Sequence, residues 1–300
     1  ILFFFIFFMY FFFNKNLLLN NNPINIKKGE NIEEIIKTNI NNLSKVEIEL
    51  FKIYFKINKI ISNNFIHYGD FKIRNETSLL DFINTITKPS NILTKITIVE
   101  GWSKKKLDIE LSKFFENFYS IPYSDIIADT YFIQKDADFN SFINKLKDIK
   151  KKYFLKHQNN KLFNKFNINE IMIIGSLLEK EGLDENDKKK ISSVIFNRLD
   201  KNMKLQIDAT VLYSLTNGEY NLERKLLLRD LKLDHPYNTY IYKGLPPRPI
   251  SYVGKKTLDI LFENYQTDFM FYFFDNSLKM HIFSKSYKEH KQKLNEYRNK

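Results

Sequence analysis

Glu179, Lys180 and Glu181 follow an apolar run from Ile171 to Leu178 and are the residues whose types and position suit proton transfer. A carboxyl group at the end of an apolar helix is partly desolvated and lies near the negative end of the helix dipole, and both effects raise its pKa. A carboxyl with a raised pKa can act as a general acid at neutral pH. From these three residues alone, a helix that simply emerges into water is the commoner explanation. The helical period of 3.6 places Glu179 and Glu181 on nearly opposite faces, so they cannot both serve one site.

The neighbouring residues favour Glu179 as the working acid. Gly175 and Ser176 lie three and four residues before it, and their small side chains would leave room for a groove beside its carboxyl group. Glu181 instead lies over two leucines. We therefore predict Glu179 as the general acid and base, with Glu181 as the alternative.

The apolar run has the boundaries of a helix enclosed by a larger core. Asn167 or Asn169 can cap its start and Gly182 can end it. After a second helix, the chain alternates strictly from Leu205 to Val211, which predicts an extended strand with a polar face. Its short hydrogen-bonding groups suit a sugar, although a half-exposed edge strand explains the alternation equally well. The polar face carries Gln206, Asp208 and Thr210.

A proline-rich segment farther along predicts a stiff loop. Pro246, Pro247 and Pro249 stand within four positions and restrict the backbone. A rigid wall beside them would offer stacking faces and amide groups at little ordering cost on binding. A structural crossover is the alternative. The candidate binding residues of this wall are Tyr237, Asn238, Thr239 and Tyr240.

The composition limits the classes of function. The 300 residues are 43% hydrophobic, enough for a sizeable core, and the net charge is +12. The basic residues are mostly scattered lysines, whereas a nucleic-acid binder concentrates its charge on one face, so we expect no nucleic-acid partner. The absence of cysteine excludes disulfides and thiol catalysis, and the five histidines lack ligand spacing. We expect neither a metal nor a cofactor.

The N-terminal segment from Ile1 to Phe13 is apolar and uncharged. Thirteen helical residues reach about 20 Å, short of a hydrocarbon core of roughly 30 Å, so we expect upstream residues to be missing from this sequence. A signal peptide is the alternative, but no small-residue cleavage site follows. We predict a membrane anchor over residues 1–19, with Leu17 to Leu19 extending the span.

The rest of the sequence predicts an α+β protein with two further parts. Residues 24–90 suggest a LysM-like α+β module with strands near Ile24 and Gly69, a helix from Ile32 and another over Leu79 to Ile86. Residues 95–300 suggest a larger α+β domain. In it we predict a hairpin about residues 275–277 and a terminal helix that begins after Ser286.

The order and spacing of several motifs in the chain closely resemble the endolytic murein transglycosylase family. The usual proline of that family is replaced by Ala128 and Ala209, its usual glycine by Arg248, and its common alanine by Gly175. None of these departures removes a group that could do chemistry. The matching motifs are Glu100-Gly101-Trp102, Asp129-Thr130-Tyr131, Glu179-Lys180-Glu181, Asn197-Arg198-Leu199, Met203, Leu205-Gln206, Asp208, Thr210, Pro236-Tyr237-Asn238-Thr239-Tyr240, Gly244-Leu245-Pro246-Pro247, His281-Ile282-Phe283-Ser284 and Glu289-His290.

This resemblance implies an enzyme anchored in the bacterial inner membrane, with its catalytic domain on the outer, periplasmic side. It implies cleavage of peptidoglycan glycan strands between N-acetylmuramic acid and N-acetylglucosamine, leaving 1,6-anhydro ends, and partners among the cell-wall synthesis proteins. Two alternatives remain open. One is a glycoside hydrolase that uses Glu179 with Asp208, and the other is a non-catalytic wall-binding scaffold.

Overall fold

The protein, seen as a computed structural model, is described at residues 10–62, 65–74, 76–135 and 137–299. These residues divide into two compact units. The first extends to Ile96 and also takes in the segment from Phe132 to Ala137, and the second comprises Thr97 to Tyr131 and the chain from Asp138 onward. Helices and small two-stranded sheets make up both, so the protein has the mixed α+β fold that the sequence predicts.

The first unit joins helices to short antiparallel sheets. A capping box begins its first helix, because the side chain of Asn31 accepts from the backbone of Glu34 while Glu34 bonds back to Asn31. Strand β2 pairs with β3, and β1 pairs with β4. The helix from Lys45 has no counterpart among the sequence predictions. The elements are β1 (Asn16–Leu17), β2 (Ile24–Ile26), α1 (Ile32–Asn39), α2 (Lys45–Ser62), β3 (Gly69–Phe71), β4 (Thr77–Ser78) and α3 (Leu79–Ile86).

The predicted membrane anchor falls largely on residues 1–9, which lie outside the described residues. Its predicted extension through Leu17 to Leu19 is wrong, because Leu17 belongs to β1 and is buried in the core of the first unit. Leu19 forms an isolated antiparallel bridge with Ile40. Among the described residues, the helices are too short or too polar to cross a bilayer. The anchor and the LysM-like character of the first unit stay predictions.

The second unit is mainly helical and ends in a β-hairpin. Helices α6, α7 and α9 pack against one another, and α10 packs against the hairpin of β7 and β8. Strands β5 and β6 pair in one sheet, and the division between the two units falls within them. The elements are β5 (Leu93–Thr97), α4 (Lys104–Leu111), β6 (Thr130–Gln134), α5 (Phe139–Lys156), a 3-10 helix (Lys161–Asn164), α6 (Ile168–Glu181), α7 (Glu185–Asp200), α8 (Asp208–Thr216), a 3-10 helix (Asp230–Lys232), α9 (Lys255–Glu263), β7 (Phe271–Asp275), β8 (Met280–Ser284) and α10 (Tyr287–Arg298).

Helix α6 lies at the centre of the second unit, as its apolar sequence predicts. Every residue from Ile171 to Leu178 is buried. Asn167 forms a capping box with Glu170 at the start, and Gly182 is the residue that ends the helix. The predicted hairpin and the helix after Ser286 are confirmed as well.

Candidate active site

The two glutamates at the end of α6 have entirely different neighbours. Glu179 bonds to Lys188 and the backbone of Gly254, whereas Glu181 bonds to the backbone of Ala209 and to Tyr272. Both sets of contacts come from elements distant in the sequence. The two carboxyl groups therefore make separate sets of contacts, in agreement with their predicted placement on nearly opposite faces of the helix.

Glu179 is held in a buried ion pair. Its Oε2 lies 2.5 Å from Nζ of Lys188, and its Oε1 accepts the backbone N–H of Gly254 at 2.8 Å. Its side chain is 2% exposed. Lys188 also donates to the hydroxyl of Thr257 at 2.8 Å. Both carboxylate oxygens of Glu179 are therefore engaged in contacts that tie the end of α6 to α7 and to the start of α9.

The space over Gly175 and Ser176 is filled by another part of the chain, so the expected groove does not lie there, although Glu179 lines a cavity of about 320 Å³ together with Lys188 and Gly254. A Cβ atom added at Gly175 would lie 2.6 Å from Cγ1 of Val253. Ser176 is fully buried, and its hydroxyl accepts the backbone N–H of Ile250 at 3.0 Å. The small side chains at these positions admit the segment that leads into α9 rather than a ligand.

Glu181 has the surroundings of a proton donor. Its Oε1 accepts the backbone N–H of Ala209 at 3.3 Å, and its Oε2 accepts the hydroxyl of Tyr272 at 3.3 Å. Burial raises the pKa of Glu181, and the negative charge of Asp208 raises it further, against a smaller opposing effect of the two hydrogen bonds and of His281. A carboxyl with a raised pKa retains its proton closer to neutral pH, where a general acid must carry one.

Asp208 supplies the second carboxyl group near Glu181. Its Oδ1 accepts the hydroxyl of Tyr240 at 2.5 Å, while the residue remains exposed. Burial, and then the hydrogen bond to Asp208, raise the pKa of the Tyr240 hydroxyl above its usual value. Tyr240 therefore stays protonated and donates to Asp208 at any physiological pH.

The predicted strand from Leu205 to Val211 is wrong, because Asp208 begins helix α8. Gln206 adopts the left-handed conformation with φ 52°, which interrupts an extended chain. The backbone N–H of Ile207 donates to the hydroxyl of Thr239 at 3.0 Å, and the hydroxyl of Thr210 donates to the carbonyl of Ile207 at 2.6 Å. The alternating apolar residues are buried before and within a helix, so the predicted single polar face does not exist.

Three of the predicted binding residues hold the loop together. Asn238 is fully buried, and its amide donates to the carbonyls of Leu231 and Leu233. Thr210 and Thr239 are also buried, with their hydroxyl oxygens 2.9 Å apart. In this conformation they offer no exposed surface to a ligand, and their direct role in binding stays a prediction.

The other predicted binding residues retain accessible surface. Gln206 and Asp208 are exposed, and Tyr237 and Tyr240 are half-buried. The ring of Tyr237 packs against that of Tyr213, with centroids 4.7 Å apart. Tyr213 and Ala209 line a cavity of about 470 Å³ in the second unit. Open surface therefore lies directly next to the residue that bonds to Glu181.

The sequence did not predict two residues that contact the glutamates. Lys188 lies in a run of lysines that is typical of a solvated helix face, and Tyr272 lies among the aromatic residues of β7. The alternation of the hairpin could have identified Tyr272, because its side chain shares a face with that of Phe274, which packs on His281. His281 is buried and bonds through Nδ1 to Asp187 at 2.8 Å.

The described residues were predicted to hold no metal ion. That part of the chain contains no cluster of three or more His, Cys, Asp and Glu side chains able to hold a metal ion. The carboxyl, hydroxyl and amide groups around Glu181 are suited to proton transfer and to hydrogen bonding with a polar ligand.

Comparison with known proteins gives consistent matches. The profile of the YceG-like family matches residues 24–296. An endolytic murein transglycosylase from Bacillus subtilis is 37% identical over 134 residues, which is 45% of this chain and 36% of that protein. Another from Streptococcus pneumoniae is 25% identical over 171 residues, which is 57% of this chain and 31% of that protein. The match therefore spans about a third of the length of these curated relatives.

A solved structure has a similar fold. The crystal structure of a yceG-like protein from Listeria monocytogenes superposes with a TM-score of 0.57 at 22% identity. The superposition covers 90% of this chain and 97% of that one. The similarity therefore extends through both units.

Proposed function

The chain belongs to the YceG-like family, and on that premise we propose that it is an endolytic transglycosylase that cleaves the glycan strands of peptidoglycan. Curated relatives from two bacterial species carry the name endolytic murein transglycosylase. The proposed bond is the β-1,4 linkage between N-acetylmuramic acid and N-acetylglucosamine. The observation that carries the proposal is the carboxyl group of Glu181, hydrogen-bonded to Ala209 and Tyr272 and within reach of the charge of the exposed Asp208.

We assign the proton transfers to Glu181 rather than to Glu179. Both oxygens of Glu179 are engaged by Lys188 and Gly254, and its side chain is closed to solvent. Glu181 makes only two long hydrogen bonds, and its pKa is raised. It can therefore release and regain a proton without breaking a buried ion pair.

The proposed reaction needs one carboxyl group and no water. Glu181 donates its proton to the glycosidic oxygen as the bond from that oxygen to the anomeric carbon of the muramyl residue breaks. The resulting carboxylate then accepts the proton of the muramyl 6-hydroxyl while that oxygen bonds to the anomeric carbon. The product is a 1,6-anhydro end, and Glu181 is again protonated.

Asp208 has two roles in this scheme. Its negative charge would stabilise an oxocarbenium-like transition state, and it raises the pKa of the proton donor Glu181. The hydroxyl of Tyr240 orients the Asp208 carboxylate. Gln206 and Tyr237 contribute exposed groups for sugar contact, while Thr210, Asn238 and Thr239 keep the loop in place.

A glycoside hydrolase is the second candidate, because two carboxyl groups lie at one site. In that reaction Asp208 would activate water or attack the anomeric carbon, with Glu181 as the acid. The two reactions differ in their products. Hydrolysis leaves reducing ends, whereas transglycosylation leaves anhydro ends.

The decisive experiment is mass spectrometry of the fragments that the full chain releases from isolated peptidoglycan. Anhydro-ended fragments that are lost in Glu181→Gln and retained in Glu179→Gln would support the assignment. The expected loss in Glu181→Gln is about 10²- to 10⁴-fold, the usual contribution of a general acid. Loss in Glu179→Gln alone would return the role to Glu179, and reducing ends would establish the hydrolase. A folded protein that binds glycan without cutting it would be a wall-binding scaffold.

The proposed cellular location also rests on membership of the YceG-like family. We propose that residues 1–13 attach the protein to the bacterial inner membrane and that the second unit acts on the outer side, near the proteins that synthesise the wall. The apolar run from Ile1 to Phe13 supports the attachment. Protease protection of intact spheroplasts against opened ones would measure the orientation.

A further inference from the structure

Helix α2 of the first unit is apolar on two opposite sides. One side carries Phe51 and Phe55, which are buried in the core of the unit. The other apolar side is exposed to solvent, whereas the apolar surface of a helix is normally buried. The exposed fractions are 68% for Val46, 55% for Ile53, 50% for Ile57, 82% for Ile60 and 78% for Ile61.

The five exposed side chains form one stripe along the helix. At 100° per residue, positions 46, 53, 57, 60 and 61 fall within an arc of about 100°. The helix has 18 residues and is therefore about 27 Å long. A continuous apolar surface of this kind on an outer face is typical of an interaction site.

Positive charge borders this stripe on one side. Lys45, Lys56 and Lys59 are exposed and follow the same edge of the helix. Lys52 also lies on that edge, paired with Glu33 at 2.7 Å and with Glu49 at 2.9 Å, and Glu49 is an acidic residue among these lysines. Apolar residues beside lysines are the pattern of helices that lie in the interface of a bilayer with anionic lipids.

The stripe adjoins the end of the apolar N-terminal segment. The ring of Phe13 packs on that of Tyr54, with centroids 4.4 Å apart, and Lys15 pairs with Glu47 at 2.7 Å. Tyr10 and Phe11 just before them are 66% and 64% exposed. Both belong to the uncharged apolar run from Ile1 to Phe13. A single apolar phase that contacts Tyr10 and Phe11 would therefore lie close to helix α2 as well.

We propose that the exposed face of α2 lies in the surface of a lipid bilayer, with its isoleucines among the acyl chains and its lysine edge at anionic headgroups. This contact is separate from the predicted membrane anchor. It holds the first unit against the bilayer along a helix that does not cross it. The proposal does not depend on glycan cleavage.

The absence of cysteine makes this contact directly measurable. The full chain is reconstituted into vesicles of phosphatidylcholine with phosphatidylglycerol, with an environment-sensitive fluorophore on Ile57→Cys or Ile60→Cys. The matched control is Leu80→Cys, another exposed apolar position of the first unit. Brominated lipids should quench the two α2 labels at least about twofold more than the control label. Equal quenching at all three positions would overturn the proposal.

A charge variant tests the headgroup contact. Lys56→Glu with Lys59→Glu should reduce quenching of the Ile57→Cys label in anionic vesicles and leave it unchanged in pure phosphatidylcholine. The control is Lys288→Glu with Lys291→Glu, exposed lysines on α10 of the second unit. An unchanged signal in the α2 variant would refute the role of the lysine edge. Label protection that rises with protein concentration in the absence of lipid would overturn the proposal in favour of a contact between two copies of the chain.

Discussion

The hydroxyl of Tyr272 lies 3.3 Å from Oε2 of Glu181 and joins the β7–β8 hairpin to the end of α6. This bond stabilises the ionised carboxylate and so lowers the pKa of Glu181 against the larger effect of burial. Tyr272 is itself held protonated, because burial raises the pKa of its hydroxyl well above the usual value. The proton donor of the proposed reaction is thus adjusted by a residue about ninety positions away in the sequence.

Tyr272→Phe should move the pH profile of glycan cleavage to higher pH. Removal of the hydroxyl raises the pKa of Glu181, so the acid keeps its proton further into the alkaline range and the falling limb of the profile shifts upward. The maximal rate should fall by no more than about tenfold, since one hydrogen bond contributes about 1 kcal/mol. The measurement is the initial rate of release of anhydro ends as a function of pH. An unchanged profile would mean that Tyr272 does not act on the titrating group.

Asp208→Asn should move the falling limb of the pH profile of glycan cleavage to lower pH. The negative charge of Asp208 raises the pKa of Glu181, so its removal lowers that pKa and Glu181 loses its proton at lower pH. Asparagine still accepts the hydroxyl of Tyr240, which preserves the loop. The rate at the optimum should also fall, because the transition state loses a nearby negative charge. A shift of this limb to higher pH would contradict the effect of Asp208 on Glu181. The control is Asp234→Asn, which changes an exposed residue in the loop that carries Tyr240.

The sequence was sufficient to predict α6 and its ends, because both depend on residues close together in the chain. The apolar run, the Asn167 cap and the Gly182 stop act within a few positions. The predicted strand from Leu205 to Val211 is wrong because its alternating pattern has a second structural origin. Alternation of apolar and polar residues also arises where a buried extended segment leads into a helix. Gln206 adopts the left-handed conformation without being a glycine, so the sequence does not indicate the turn.

The choice between Glu179 and Glu181 could not be made from neighbours in sequence. Gly175 and Ser176 indicated open space, but Val253 fills it. The contacts that distinguish the two carboxyl groups come from Lys188, Gly254 and Tyr272, and which of them meets which glutamate depends on tertiary packing. Burial and charge set a pKa, and neither is a property of the local sequence.

Gly175→Ala should destabilise the second unit although alanine is the better helix former. The gain in helix propensity is about 1 kcal/mol, but the new Cβ would lie 2.6 Å from Cγ1 of Val253, which is fully buried. We expect a net loss of about 1 to 3 kcal/mol in the free energy of unfolding. Urea denaturation followed by the fluorescence of Trp102, the sole tryptophan, reports on this unit. Asn144→Ala on the exposed face of α5 is the control, and equal stabilisation by both changes would show that the contact with Val253 is not tight.

The ion pair of Glu179 and Lys188 should contribute to stability and not to proton transfer. Glu179→Gln leaves the ammonium of Lys188 beside a neutral group, and Lys188→Met leaves a carboxylate buried without its partner. Each single change should cost about 3 kcal/mol in the free energy of unfolding, and the double variant should cost clearly less than the sum, because neither charge is then unpaired. Denaturation followed by Trp102 fluorescence gives the coupling energy. The double variant should still release anhydro-ended fragments, since Glu181 keeps its own contacts. Additive losses of stability would show that the pair is not coupled, and a folded double variant without activity would place Glu179 in the chemistry.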